Sequence, residues 1–473
     1  MIWFLIFMMG SDADQLRAHV KFLASDLLEG RETSQRGQLL AAAYLQSCLE
    51  EAGIPGAFPN QENPYYQSFE LTATEIDSSQ ISLSFKGGGP KRTVSSDFLE
   101  TSIRFAGKST ESKMAFIGYG RMEEGLDDFE GVDLKDRWAV LLASEEDSPS
   151  HFWKVFQKLN STGCKGLLVI SPKPQPGEEG GGRTERSYSL TGQAGPSGNF
   201  AMVRIYDSQA EAVFGRAFAD LQDWIQAKKP ARELVLKRSL TYTVASKSSK
   251  VQTGNVVARV EGTDPERAKE ILVVSAHYDH VGMTGQTVYN GADDNGSGTS
   301  VLLELAQRIQ SNPTPRTIIF LFLTGEEVGL LGSEYYLGHM GFPTKNLIAN
   351  INIDMVGRNG SYELGYLPAK NEDVTSLSDW MKEVNSGLEH PFTFNEELDK
   401  YHHRSDHYNF VKVGVPAIFF FSDVHEDYHR PTDDWQKLDY DKLARVLALV
   451  DGLVHKIGNT EERPVFSNRS KSR

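Results

Sequence analysis

Ile271-Leu272-Val273-Val274-Ser275-Ala276-His277-Tyr278-Asp279-His280 is an apolar run that breaks abruptly into histidine and aspartate. A nearly continuous apolar run of this length reads as a strand covered on both faces, the habit of parallel sheets in α/β proteins. The same pattern recurs at 317–323, 347–353 and 415–421. Between the first two runs, residues 300–310 place Leu302, Leu303, Ala306 and Ile309 on one helical face. The expected core is therefore an α/β fold: a mostly parallel, mixed sheet between two helical layers.

Open sheets of this kind collect ligands beyond the carboxyl ends of their strands. After the first run stand His277, Asp279 and His280; after the second, Glu326 and Glu327; the third ends on Asp354; the fourth is followed by His425, Asp427 and His429. Each alone is ordinary. A histidine after a strand is more often a hydrogen-bonded surface residue, a Glu pair a solvated face, an Asp at a strand end a turn residue. Nine of the twelve histidines nevertheless lie between His277 and His429, and metal-type side chains at four strand ends are hard to attribute to folding. The loop Gly291-Ala292-Asp293-Asp294-Asn295-Gly296-Ser297-Gly298 adds acidic and amide groups among small residues. It reads either as a turn into the helix at Ser300 or as backbone wrapped around a cation.

Further outward, 473 residues with 39% hydrophobic and 10% aromatic content describe a globular chain of two or three domains. A formal charge of −15 argues against a nucleic-acid partner, which demands a basic surface. Two cysteines, Cys48 and Cys164, make no disulfide framework. Residues 1–9 are apolar but fall far short of the ~20 a spanning helix needs. They read as a truncated signal segment over 1–11, implying a secreted, periplasmic or envelope protein, and no other stretch reads as a membrane span. Between about 103 and 231, strand-like runs (114–119, 138–143, 166–170) alternate with a helical one (153–159), and glycine-rich 176–182 interrupts them. This block holds one histidine, His151, and is expected to be an inserted domain dividing 12–102 from 232–460, with a polar tail at 461–473.

His277-x-Asp279, the 291–298 loop, Glu326-Glu327, Ile353-Asp354-Met355 and Tyr428-His429-Arg430-Pro431 follow in the order found in the co-catalytic di-zinc exopeptidases. That family includes bacterial secreted aminopeptidases and the glutamate carboxypeptidase group, and this chain resembles it. The segment from Phe22 to Arg31 is similar to the family's N-terminal part. Phe116-Ile117-Gly118-Tyr119-Gly120 and Gly163-Cys164-Lys165-Gly166 are similar to the protease-associated (PA) domain that many members insert.

The resemblance implies the three-layer zinc-exopeptidase fold and two zinc ions per chain, with cobalt or manganese as substitutes. Asp293 would bridge the ions, Glu327 and His429 would complete one site, and His277 and Asp354 the other. Glu326 would be the general base and Asp279 would fix the His277 tautomer. A cis peptide would join Asp293 to Asp294. Tyr401, Ser405, Asp406 and His407 would border the substrate, while His280 and His425 read as framework. Peptides are the implied substrates and aminopeptidase the implied activity. A carboxypeptidase of the same family, a one-zinc glutaminyl cyclase-like acyltransferase and a non-catalytic receptor-like relative are the alternatives.

Overall fold

The computed structural model describes residues 11–94, 99–101, 110–123, 125–143, 149–172, 186–193, 201–215 and 231–467. The apolar start at 1–10, the glycine-rich 176–182 and the end of the polar tail from 468 lie outside the described residues. The chain forms two compact units. One comprises Met1–Leu71 and Val251–Arg473 with Gly180–Thr184; the other comprises Thr72–Glu179 and Glu185–Lys250.

The first unit carries the strand ends singled out above. Its elements are α1 (Asp12–Leu23), α2 (Arg36–Glu51), β1 (Ser239–Val260, of which the last residues pair here), β2 (Ile271–His277), α3 (Gly298–Ser311), β3 (Thr317–Leu323), α4 (Leu331–Gly338), β4 (Leu347–Ile353), β5 (Glu363–Leu367), α5 (Leu377–Ser386), β6 (Thr393–Asn395), α6 (His407–Lys412), β7 (Ala417–Phe421) and α7 (Tyr440–Asn459). The sheet order is β6-β5-β7-β4-β2-β3-β1. The inner strands β7, β4, β2 and β3 run parallel, and β5 and β1 join them antiparallel. The fold is thus α/β with a mixed, mostly parallel sheet.

Every residue of β2, β3 and β4 is buried, because alternate side chains serve different layers. Leu272, Val274, Ile318, Phe320 and Phe322 pack against α1, α2, α3 and α7. Ile271, Val273, Ile319, Leu321 and Leu323 pack toward Tyr336 of α4 and Phe410 of α6. Helix α3 buries Leu302, Leu303, Ala306 and Ile309, as its spacing predicted. The fourth strand begins at Ala417 rather than 415, since Pro416 has no N–H to give a ladder.

The second unit holds parallel neighbours Thr110–Phe116, Trp138–Leu142, Gly166–Ser171 and Ala201–Tyr206, with Leu99–Thr101 antiparallel at the edge and a helix at Pro149–Asn160. It is wider at both ends than the insertion expected at 103–231. The long strands Tyr66–Lys86 and Ser239–Val260 supply the difference. No helix among the described residues is long and apolar enough to cross a membrane.

Candidate active site

β2 ends on His277, β3 leads through Thr324 and Gly325 to Glu326 and Glu327, and β4 delivers Asp354. The loop after β7 brings His425 and His429, and the 291–298 loop closes the ring ahead of α3. Two glycines make that loop possible. Gly291 has φ +57°, and a Cβ on it would lie 2.5 Å from Cδ2 of His280. A Cβ on Gly298 would lie 2.3 Å from the Ile353 carbonyl oxygen. Asn295 then ties the loop to the end of β4, donating to the Ile353 carbonyl (2.9 Å) and accepting from Met355 N (3.3 Å). The buried Arg31 guanidinium braces the other side, donating to the carbonyls of Tyr278, Leu23, Asn290 and Gly291. That is the structural use of the N-terminal segment.

Two donor sets result, sharing one residue: His280, Asp294, Glu327 and His429 form the first, and His277, Asp294 and Asp354 the second. His277 Nε2 lies 3.2 Å from Asp354 Oδ1 and 3.4 Å from Asp294 Oδ1. His429 Nε2 lies 3.0 Å from Asp294 Oδ2 and 3.2 Å from Glu327 Oε2. Asp294 thus turns one oxygen to each set.

The expected bridging position therefore moves by one residue. Asp293 points away: its Oδ1 accepts from Gly357 N (2.7 Å) and its Oδ2 sits 3.3 Å from His425 Nε2. Successive side chains leave the backbone in different directions, so only one of this aspartate pair can face the cavity. The cis peptide shifts likewise, to Asp294–Asn295. Below the loop, the Asp433 carboxylate accepts the N–H groups of both Asp293 and Asp294 at 3.0–3.1 Å.

Asp279 also does something other than expected. The Nδ1 of His277 meets the Asp279 carbonyl oxygen at 3.1 Å, and the nearest carboxylate oxygen is at 3.8 Å. The carboxylate instead accepts from Thr33 Oγ1 (2.7 Å), Gly325 N (2.8 Å) and Glu326 N (3.4 Å), fixing the turn that presents Glu326. The backbone therefore orients His277, and Asp279 orients the glutamate pair.

Around the sets, Ser405 Oγ donates to Asp354 Oδ2 (2.9 Å), and Ser333 Oγ donates to Asp406 Oδ1 (2.5 Å). His407 is buried and stacks on Phe419 with ring centroids 4.6 Å apart. Tyr401 meets Phe421 edge-on at 5.2 Å. Met355, Phe419 and Phe421, with Tyr401 and Tyr428 packed on them, make an apolar cluster beside Asp354 and His429. Sequence reasoning named Asp294 in the loop but gave it no ligand role, and it read His280 as framework, whereas both stand within the donor sets. Only the His277-x-x-His280 spacing hinted at the latter.

The charges are crowded. Withdrawal from water holds the Glu326 carboxyl well above the usual range; His277 opposes this, while Glu327, Asp354 and Asp406 reinforce it. Burial likewise pushes Asp406 up to about 7. Burial works against ionised Glu327, yet His429 and His280 hold it well below the ordinary range. Burial would lower His429, but Glu327 and Asp294 carry it up to about 11. Asp294 Oδ2 and His429 Nε2 are 3.0 Å apart without hydrogen-bond alignment. They converge on a common point, as ligand atoms do. Imidazole and carboxylate donors in such sets fit zinc.

Known proteins resemble this chain in sequence and in fold. Aminopeptidase YwaD of Bacillus subtilis (strain 168) is 30% identical over 232 residues, covering 47% of this chain and 49% of that protein. Leupeptin-inactivating enzyme 1 of Streptomyces exfoliatus is 32% identical over 202 residues, covering 42% of each. The chain thus spans about half the length of the curated relatives it matches. Among solved structures, the aminopeptidase from Aneurinibacillus sp. strain AM-1 superposes with a TM-score of 0.62 at 20% identity, over 96% of this chain and 95% of that one. BSAP, a zinc aminopeptidase from Bacillus subtilis, gives 0.56 at 19% identity over 95% of both. These likenesses establish the shared fold. The profile of peptidase family M28 matches residues 255–454, from the end of β1 into α7, a segment that carries all the donors described above and is similar to that family.

Proposed function

We propose that this chain is a zinc-dependent aminopeptidase that removes N-terminal residues from peptides. The observation that carries the proposal is Asp294, whose two carboxylate oxygens face two separate donor sets. In this reading His277 and Asp354 hold one ion, Glu327 and His429 the other, and Asp294 both; cobalt or manganese would fit the same donors. Bound there, such a pair would supply Lewis acidity, acidifying water and polarising a carbonyl.

The chain's own residues supply the rest. Glu326, held above the usual carboxylate range by withdrawal from water, is suited to take a proton and return it to the leaving amine. Asp279 keeps it in place through the Gly325 and Glu326 amides. The names of the relatives support amino- over carboxypeptidase. The second unit would be a PA domain, supported by its parallel strands and its sequence motifs. A secreted or envelope location belongs to the same proposal and rests on the apolar residues 1–9.

The test combines elemental analysis with hydrolysis of free and N-acetylated aminoacyl substrates, for wild type and Glu326→Gln. Two zincs per chain, cleavage of free-amine substrates alone, and a loss of about 10²–10⁴-fold in the variant with its metal retained are expected. One zinc would favour the cyclase, indifference to N-acetylation the carboxypeptidase. Absence of both metal and turnover would leave a binding protein.

A further inference from the structure

His280 is absent from the ligand set the sequence implied, yet it stands inside the first donor set. Its side chain is fully buried, and Nδ1 lies 2.8 Å from Glu327 Oε1 and 3.8 Å from Asp294 Oδ2. Its ring meets that of His429 edge-on, centroids 5.6 Å apart. Its backbone N–H donates to the Arg31 carbonyl (3.0 Å), and Gly291 lacks the Cβ that would strike the ring. The position is built to hold an imidazole in one orientation.

Two roles fit these contacts: a further ligand, or a residue that holds a ligand. The other ring nitrogen decides between them. Nε2 is buried and has no hydrogen-bond partner among the described residues. Were Nδ1 a ligand, the proton of the neutral ring would sit on Nε2, leaving a buried N–H unsatisfied, an expensive arrangement. With the proton on Nδ1, Nε2 is only an unused acceptor.

We propose that His280 is a positioning residue: its Nδ1–H donates to Oε1 of Glu327, leaving Oε2, the oxygen 3.2 Å from His429 Nε2, to face the cation. Glu327 is thereby a one-oxygen ligand of fixed direction. This inference rests on the two-ion reading above.

The test exploits the side-chain geometry of two amides. In His280→Asn, the amide nitrogen can stand where Nδ1 stood; in His280→Gln, the chain fills the space but places its amide near the Nε2 position. Zinc affinity is measured by competition with a chromogenic chelator, and absorption spectra are recorded after cobalt loading. The Gln variant is expected to bind one of its two ions about 10–100-fold more weakly. The Asn variant should stay within a few-fold of wild type, with an unchanged cobalt spectrum. A Gln variant binding as well as wild type overturns the proposal. So does an Asn variant as weak as Gln with altered cobalt bands, which makes His280 a ligand. A wild-type protein that binds no zinc at all sinks the two-ion reading itself, a separate outcome.

Discussion

At the scale of single residues, the adjacent Asp293 and Asp294 give the sharpest contrast. One faces both donor sets, Asp294; the other, Asp293, faces Gly357 N and His425. Asp294→Asn should abolish stoichiometric binding of both ions, because each set loses its shared oxygen donor. Asp293→Asn should keep the ion count and only loosen the loop. Metal analysis of the purified variants decides, and the reverse order of effects would restore Asp293 as the bridge. Four members of the two donor sets were legible in the sequence: His277, Glu327, Asp354 and His429 were each picked out as strand-end residues, and the structure gathers them. What was not legible is which of two neighbouring aspartates turns inward. That depends on the backbone path from Gly291 to Gly298, and an Asp-Asp pair looks the same from either side. The two roles of Asp279 were hidden for a similar reason, since a carbonyl and a carboxylate of one residue can each reach His277.

At the scale of elements, β2, β3 and β4 were readable because strands buried on both faces must be apolar throughout. The strands β5 and β6 at one end of the sheet were not read, and neither was the extent of Ser239–Val260. Its middle stretch, Ser246-Lys247-Ser248-Ser249-Lys250, is polar and exposed, so no apolar run marks it. The last helix supports the site from behind. Asp439 caps α7, its side chain accepting from Lys442 N at 2.8 Å, and its own N–H donates to the Gly357 carbonyl (3.0 Å) beside Asp293. Burial opposes its charge, but hydrogen bonds from Ser361 and the Lys442 amide, with Arg445 nearby, lower its carboxyl below the usual value. A carboxylate depressed in the folded state contributes stability above its unfolded pKa of ~3.9, and loses it as pH falls through the folded value. Asp439→Ala should therefore cost about 1 kcal/mol at pH 7, and the difference from wild type should shrink as pH drops below about 4. Urea midpoints across that range measure it. A gap that stays constant with pH would mean that packing, not the charged cap, carries the effect.

For the whole molecule, division into two compact units means that a single unfolding free energy is not defined for the chain. All donors of the two sets lie in the unit containing Val251–Arg473. Without cations, the carboxylates of Asp294, Glu327, Asp354 and Glu326 repel one another across a few ångströms of poorly solvated space. With cations, the same groups attract, and binding to the folded state alone adds stability by mass action. Free ion at a hundred times its dissociation constant contributes about 2.7 kcal/mol, which for a unit of about 300 residues raises its midpoint by roughly 4 °C. Calorimetry in the presence and absence of a chelator should thus move the transition of that unit by this amount, while the transition of the Thr72–Lys250 region holds still. Limited proteolysis along the melting curve assigns each transition to its unit. If the chelator moves neither transition, the convergent side chains bind no structural cation. A shift of both by the same amount would show the two units unfolding as one, making the ion a determinant of the whole chain's stability rather than of the unit that carries the donors.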